Sequence, residues 1–334
     1  MQVTILVSSL SHNASADELD TLEESRFLEE ILSEMGHQTE IMDFSGDCSE
    51  VIRKIRLKTA DIVFNLVETI GGISRDIHLV PALLVLSGLP FTGSTSIPMA
   101  LSTDKVLSKI HLEQAGIKTG KYSCCTDFIS NIPFEGPWIL KPTSEEASAG
   151  IGNSAFHSSI DSLRKTINSS PVSGEPEAWF VEKYIDGREF NIGLVPDRKD
   201  WIIFEPAEIV FNGYAADKPK ILDWRAKWDT NSFEYMNTIR SFDFNSFDPG
   251  LSNRLKIIAK ETAVALRLDG YSRVDFRMDH AGELYVLEAN ANPCISPDAG
   301  FIAACDQSGY SRAFIFEKIL QQALYNLRSN SKQV

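Results

Sequence analysis

The residues best suited to chemistry lie in one short segment, SRVDFRMDHAGELYVLEAN, residues 272–290. Period-two alternation puts Arg273, Asp275 and Arg277 on one face of a strand and Val274, Phe276 and Met278 on the other. In LYVLEAN the same alternation gives Glu288 and Asn290 a common face. A turn centred on His280 and Ala281 places Arg273 opposite Glu288, with Asp275 one diagonal step away. Two carboxylates, an amide oxygen and a guanidinium then share a patch, and charges withdrawn from water need a compensating partner. A hard cation bound through oxygen, with phosphates completing its shell, is such a partner and fits Mg²⁺. A cross-strand salt bridge on an exposed sheet face fits the spacing equally well.

Lysines supply the second clue. Lys141 ends the apolar run WILK before Pro142, Lys105 follows Asp104 within a predicted helix, and Lys227 sits in RAKWD. A strand-end lysine is ordinarily a solvated tip, and only the fold can bring three of them to one phosphate chain. The third clue is VEKYIDGREF, where Glu182 closes one apolar strand and Glu189 opens the next. Carboxylates so placed can accept hydrogen bonds from ribose hydroxyls, while the backbone of Lys183, Tyr184 and Ile185 reads an adenine edge. Two solvated glutamates flanking a hairpin explain the same letters.

The elements that must position these residues change character along the chain. VTILV, TEIMDF and DIVFNLV read as strands alternating with helices over residues 19–35, 50–58 and 78–87, a pattern for a parallel sheet covered on both faces. A second unit starts near Gly93, where residues 96–115 read as a single helix closed by Gly116, with Pro98 in its first turn. KYSCC, PWILKPT, AWFVEKYI, REFNIGLV and WIIFEPAEIV then suit antiparallel strands, with SEEASAGIGNSAF as a mobile hairpin loop. Residues 212–250 read as an irregular functional flap. A helix over 251–266, the hairpin above and an amphipathic helix over 311–327 complete the chain.

Composition bounds the function. With 334 residues, 43% apolar and 23% charged, the chain is a folded protein of two or three domains. A net charge of −14 argues against sequence-independent binding to nucleic acid or to an anionic membrane. Five scattered cysteines without a CxxC pair support neither a disulfide framework nor a thiolate zinc site, and the N-terminal apolar run is too short for a signal peptide. A reducing, cytoplasmic setting is expected.

Taken together, the segments DIVFNLV, GLPFTGS with ALSTDK, PWILKPTSEEASAGIG, VEKYIDGREF, RAKWD, GYSRVDFRMD and LYVLEANANP resemble, in order, the motifs of the ATP-grasp superfamily and within it the D-alanine:D-alanine ligase group. The resemblance implies an α/β and α+β protein of three domains: an N-terminal parallel-sheet domain over 1–93, a small central α+β domain over 94–184, and a larger α+β domain with an antiparallel sheet over 185–334. It also implies ATP between the latter two, with Mg²⁺ or Mn²⁺. Lys105 and Lys141 would hold the phosphates, Lys227 would approach the γ-phosphate, and Arg273 would stabilise the reacting centre. Glu182, Lys183, Tyr184, Ile185 and Leu287 would surround the adenine, Glu189 would take the ribose, and Asp275, Glu288 and Asn290 would bind metal. Amino-acid or small-peptide substrates and a homodimer follow from the same likeness.

Departures cluster on the amino-acid side. The family's N-terminal glycine-and-glutamate signature is replaced by SSLSHNASADEL; Ala147 stands for a serine and Trp228 for a tyrosine. Cys294 stands for a glycine and Ala299 for the serine that binds the second carboxylate. Trp224, Trp228 and Phe233 suit either a larger substrate or a satellite core beneath the flap. Cys294 has no adjacent histidine to make it a nucleophile. The sequence therefore points to an ATP-dependent carboxylate–amine ligase with an altered substrate pocket, the alternatives being an authentic D-alanine:D-alanine ligase or an inactive nucleotide-binding regulator.

Overall fold

In the computed structural model, which describes residues 1–10, 16–57, 60–124, 132–144, 155–169, 178–246 and 248–330, the apolar N-terminal run is the middle strand of a parallel sheet. The sheet runs β2-β1-β3, from β1 (Gln2–Ser8), β2 (Gln38–Phe44) and β3 (Ile62–Leu66). Both faces are covered, as expected for a parallel sheet. Ile5 and Phe64 pack toward the helices α1 (Ala16–Glu34) and α11 (Arg312–Asn330). Their neighbours Leu6 and Val63 pack toward α2 (Cys48–Leu57) and α3 (Leu79–Ser87).

The single helix expected over 96–115 is two, α4 (Ser96–Thr103) and α5 (Lys105–Gln114). Asp104 leaves helical geometry at φ −83° and ψ 103°, and its carboxylate accepts from the Val106 and Leu107 amides. Such a cap outcompetes continuation of the helix, and it makes Lys105 the first residue of α5.

The middle of the chain forms an antiparallel sheet in the order β4-β7-β5-β6, from β4 (Tyr122–Cys124), β5 (Trp138–Pro142), β6 (Phe156–His157) and β7 (Trp179–Lys183). An unforeseen helix, α6 (Ile160–Ile167), covers its outer face by packing Leu163 on Leu140 and Val181. Most of the expected loop SEEASAGIGNSAF, Ala147 included, lies outside the described residues.

The third sheet runs β11-β10-β8-β12-β13 and is antiparallel throughout, with β9 also paired to β8. WIIFEPAEIV proves to be two strands, β9 (Asp200–Ile203) and β10 (Ala207–Phe211), on successive halves of β8 (Gly187–Asp197). The division falls at Glu205 and Pro206, where proline removes a ladder donor. The flap is not structureless: it carries the short helices α7 (Trp224–Trp228) and α8 (Phe233–Asn237) and returns as the edge strand β11 (Thr238–Ser241). The sheet is completed by the hairpin β12 (Ser272–Asp279) and β13 (Leu284–Asn290), backed by α9 (Leu251–Ala265). α10 (Gly300–Gln307) precedes α11. Among the described residues no helix is long and apolar enough to cross a membrane.

Candidate active site

The β12–β13 hairpin has a different register from the expected one. Arg273 lies opposite Asn290, and Asp275 lies opposite Glu288. Two local features cause this. The turn holds three residues, His280–Gly282, closed by a bond from the Asp279 amide to the Glu283 carbonyl, with Gly282 at φ +82°. The register then slips again between Asp275 and Phe276, where Leu287 is the extra residue of a bulge on β13. Each feature moves the pairing by one residue, so together they restore the original faces. Asn191 of β8, Asp275 and Glu288 form one cross-strand row, and Gly193, Arg273 and Asn290 the next.

Arg273 makes a bidentate pair with Asp275, at 2.8 and 2.9 Å. Burial opposes its charge, but Asp275 and Glu288 push its pKa upward. Glu288 stands at the cleft wall with its side chain 38% exposed and the Lys105 ammonium at 3.7 Å. Burial alone would favour its neutral form, yet Lys105, Lys141, Lys227 and Arg273 together hold its pKa at about 2. Residues from α5, β5, α7 and β12 thus converge on a single carboxylate.

Lys141 reaches this point from the facing sheet. Ile139 pairs with Glu182 and Lys141 with Phe180, so Lys141 lies diagonal to Glu182 on the cleft face. Its ammonium donates to Glu182 Oε2 at 2.7 Å. The other oxygen of Glu182 accepts from Lys109, which also donates to Thr119 Oγ1 at 2.8 Å. Burial disfavours the Glu182 charge, but the two lysines outweigh it and lower its pKa. Thr119 in turn donates to the Val286 carbonyl of β13, tying the two sheets together at 2.9 Å. Lys109 was not singled out from the sequence; its position one helical turn after Lys105 is the signal that could have marked it.

Glu189, on β8 opposite Arg277, is almost fully buried, and burial raises its pKa while Arg277 opposes the rise. The Arg277 guanidinium lies 2.9 Å from its carboxylate. Among the adenine candidates, the Lys183 and Tyr184 amides are bonded to the carbonyls of Lys121 and Pro137, at 2.8 and 2.9 Å. Lys227 rides on α7, capped by Asp223. Burial and then Arg273 lower its pKa against the pull of Glu288, Asp275 and Glu189, which places it over the same cleft. Phe233 instead packs on Tyr214 at 5.4 Å, with Lys218 over its ring, a small cluster of its own.

A second charged group, absent from the sequence reading, sits where α1 meets the segment after β13. Asp20 accepts from Cys294 Sγ and Ser296 Oγ, each at 3.0 Å, and Glu24 accepts from the Ile295 amide at 2.8 Å. Asp20 and Glu24 are four residues apart and so share a helix face. Burial is the main force that raises Glu24 to about 8, with Asp20 adding to it. Burial, Glu24, Asp20 and Glu68 all push the Cys294 thiol up, so it acts as a donor and not as a thiolate.

Asp275, Glu288 and Asn290 offer oxygen donors on adjacent strands. Asp275 is shared with Arg273, and Asn290 Oδ1 accepts from the Asn292 amide at 2.8 Å, so each retains only part of its acceptor capacity. Among the described residues no group of three or more His, Cys, Asp or Glu side chains forms a metal cage. Two carboxylates and an amide suit Mg²⁺ that keeps positions for phosphate oxygens, and do not suit thiophilic metals.

A family model described as the D-ala D-ala ligase C-terminus matches residues 106–321. A protein of Sinorhizobium fredii described as uncharacterised is 28% identical over 300 residues, covering 87% of this chain and 84% of its own length. A D-alanine–D-alanine ligase of a Marinomonas species is 27% identical over 315 residues, covering 92% of each chain. The D-alanine–D-alanine ligase of Bacillus anthracis in complex with ATP superposes with a TM-score of 0.73 at 18% identity, covering 99% of both chains. The ligase of Coxiella burnetii gives 0.75 at 14% identity, covering 100% of this chain and 98% of its own.

Proposed function

The chain belongs to the D-alanine:D-alanine ligase family of the ATP-grasp proteins, and on that footing we propose that it joins a carboxylate to an amine at the expense of ATP, with amino acids or small peptides as substrates. The observation that carries this reading is the convergence of Lys105, Lys141, Lys227 and Arg273 on Glu288 within a chain whose net charge is −14. Positive charge so concentrated suits a polyphosphate, and phosphoryl transfer is catalysed chiefly by positioning and by compensating negative charge.

In this reading the substrate carboxylate attacks the γ-phosphate, and the amine then displaces phosphate from the resulting acyl phosphate. Lys105 and Lys141 hold the phosphates, Lys227 meets the γ-phosphate from the flap, and Arg273 stabilises the developing charge. Glu189 accepts from the ribose hydroxyls. With the Lys183 and Tyr184 amides engaged, the adenine edge falls to the backbone at Ile185, beside Leu287. Asp275, Glu288 and Asn290 would hold Mg²⁺, which when bound neutralises phosphate charge and orients the chain for in-line attack. Asp20 and Glu68, acidic side chains beside Cys294, suit an amine-bearing substrate, while burial keeps the neighbouring Glu24 in its protonated form. The division into units at 93/94 and 184/185 and a reducing compartment belong to the same proposal.

The relatives' names favour a second reading, D-alanine as both donor and acceptor. Against it stand Trp228, Cys294 and Ala299 and the Asp20–Cys294–Ser296 network, which re-form the amino-acid side. The test is ADP and phosphate release across D- and L-amino acids and dipeptides, with products identified by mass. Turnover with a substrate other than D-alanine alone is expected. Glu288→Gln and Lys141→Ala should each lower it by about a hundredfold or more while the fold is kept. Tight ATP binding without turnover on any substrate would favour a nucleotide-binding regulator.

A further inference from the structure

We infer that Arg277 is a positioning residue that joins the sugar-binding carboxylate Glu189 to the base of the flap, so that the flap carrying Lys227 docks on the same guanidinium that orders the ribose site. This rests on the reading of Glu189 as the group that meets the nucleotide sugar. Arg277 is 4% exposed and faces Glu189 across β8 and β12. Its guanidinium forks between three elements. Its Nη2 meets the Glu189 carboxylate at 2.9 Å and also donates to the Lys220 carbonyl, while its Nη1 donates to the Gly187 carbonyl at 3.3 Å where β8 begins.

Lys220 lies at the entry to the flap, three residues before the Asp223 cap of α7. Its amide is held as well, donating to Tyr184 Oη at 3.1 Å. The next residue, Ile221, packs on Ile139, Ala155 and Tyr184. The Arg277 guanidinium sits over the rings of Tyr184 and Phe211, at 5.6 and 5.8 Å from their centres. Both backbone groups of Lys220 are therefore bonded to side chains that line the nucleotide site. A planar guanidinium spreads its donors over separate nitrogens in fixed directions and so bridges a carboxylate and two carbonyls on different elements, whereas an ammonium offers its three donors from a single point. An ordinary buried ion pair would need only Glu189, whereas this one spends its remaining donors on the backbone of the flap and of the β8 entry.

The experiment compares Mg-ATP with Mg-2′,3′-dideoxy-ATP by calorimetry on the full chain and on Arg277→Met and Arg277→Lys, with tryptophan emission from Trp224 and Trp228 followed in the same titrations. The unsubstituted chain should prefer ATP by about tenfold or more, the value of hydrogen bonds to a charged acceptor. It should also show a nucleotide-induced change in emission. Arg277→Met should bring the two nucleotides within about threefold and abolish the emission change. Arg277→Lys should keep the sugar preference, through its charge beside Glu189, and lose the emission change. A methionine variant that folds and keeps the full preference overturns the inference. So does an emission change retained by both variants, or one absent from the unsubstituted chain. Should the methionine variant fail to fold, the lysine variant decides: preference kept with response lost supports the coupling, and both kept overturns it. A chain that binds neither nucleotide overturns instead the ligase reading on which the inference rests.

Discussion

Glu288 and Glu24 are the same side chain driven in opposite directions by its surroundings. At Glu288, four cations overcome burial and hold the pKa at about 2; at Glu24, burial and the neighbouring Asp20 raise it to about 8. Between the ordinary carboxyl value of 4.5 and about 8 the folded chain therefore keeps a proton on Glu24 that the unfolded chain releases. The stability this contributes is complete below the lower value and lost as pH rises through the upper one. Glu24→Gln mimics the protonated acid, so its melting temperature should fall by several degrees less than that of the unsubstituted chain between pH 5 and pH 8. Identical slopes in circular-dichroism melts would remove Glu24 as the titrating group. Lys141, Glu182, Asp275 and Glu288 stood out in the sequence because charged letters punctuate apolar strands, and their expected roles came from the resemblance to the ATP-grasp ligases. Lys109, Arg277, Asp20 and Glu24 were not given roles, because one charge on a helix or strand looks the same whether it faces water or a buried partner.

At the scale of elements, the hairpin shows how a wrong register can leave a correct face. A longer turn and a bulge each displaced the pairing by one residue, and the two displacements together preserved the side on which Asp275, Glu288 and Asn290 project. Neither feature is written in the hydrophobic alternation. The break at Asp104 was legible in principle, since serine, threonine and aspartate in STD are capping residues, but the apolar spacing on either side concealed it. Gly120 shows a tighter constraint. A Cβ there would lie 2.7 Å from Glu182 Oε1, and that carboxylate cannot swing away without breaking its bonds to Lys109 and Lys141. Gly120→Ala should cost about 1–3 kcal/mol in urea unfolding and weaken Mg-ATP binding by displacing Lys141. Unaltered nucleotide affinity in calorimetry would show that the triad does not set the position of Lys141.

For the whole molecule, the decisive contact is the joint between the segment before α4 and the segment before β12. Thr95 donates from its amide and its hydroxyl to Asp269, at 2.8 and 2.7 Å, and the Gly270 amide donates to Ser94 Oγ at 3.2 Å. A Cβ on Gly270 would lie 2.1 Å from the Gly93 carbonyl carbon and 2.3 Å from the Ser94 nitrogen. These are backbone atoms with no rotamer to change. Gly270→Ala should therefore destabilise the fold by about 3 kcal/mol or more. It should also part the α4–α5 segment, which leads to Lys105, from the strand that carries Arg273. A melting temperature within a degree of the unsubstituted chain would show that the joint yields freely. The N-terminal sheet shares one core with α11, Val195 and Tyr271, so this strain is borne by more than one unit.

Composition and alternation by themselves determined the order and type of most of the elements of this protein and the faces on which its acids and bases project, and the phosphate-directed chemistry came from the resemblance of its ordered motifs to the ATP-grasp ligases. The elements and faces follow from local rules: a strand alternates with period two, an apolar stripe buries itself, and a capping residue ends a helix. Tertiary structure alone decided which lysine meets which glutamate, that Arg277 spans strand and flap, and that Asp20 and Glu24 stand against Cys294 and Ser296. Such contacts join residues as many as 276 positions apart, and both the pKa of a carboxylate and the use of a guanidinium depend on neighbours that only the completed packing brings near.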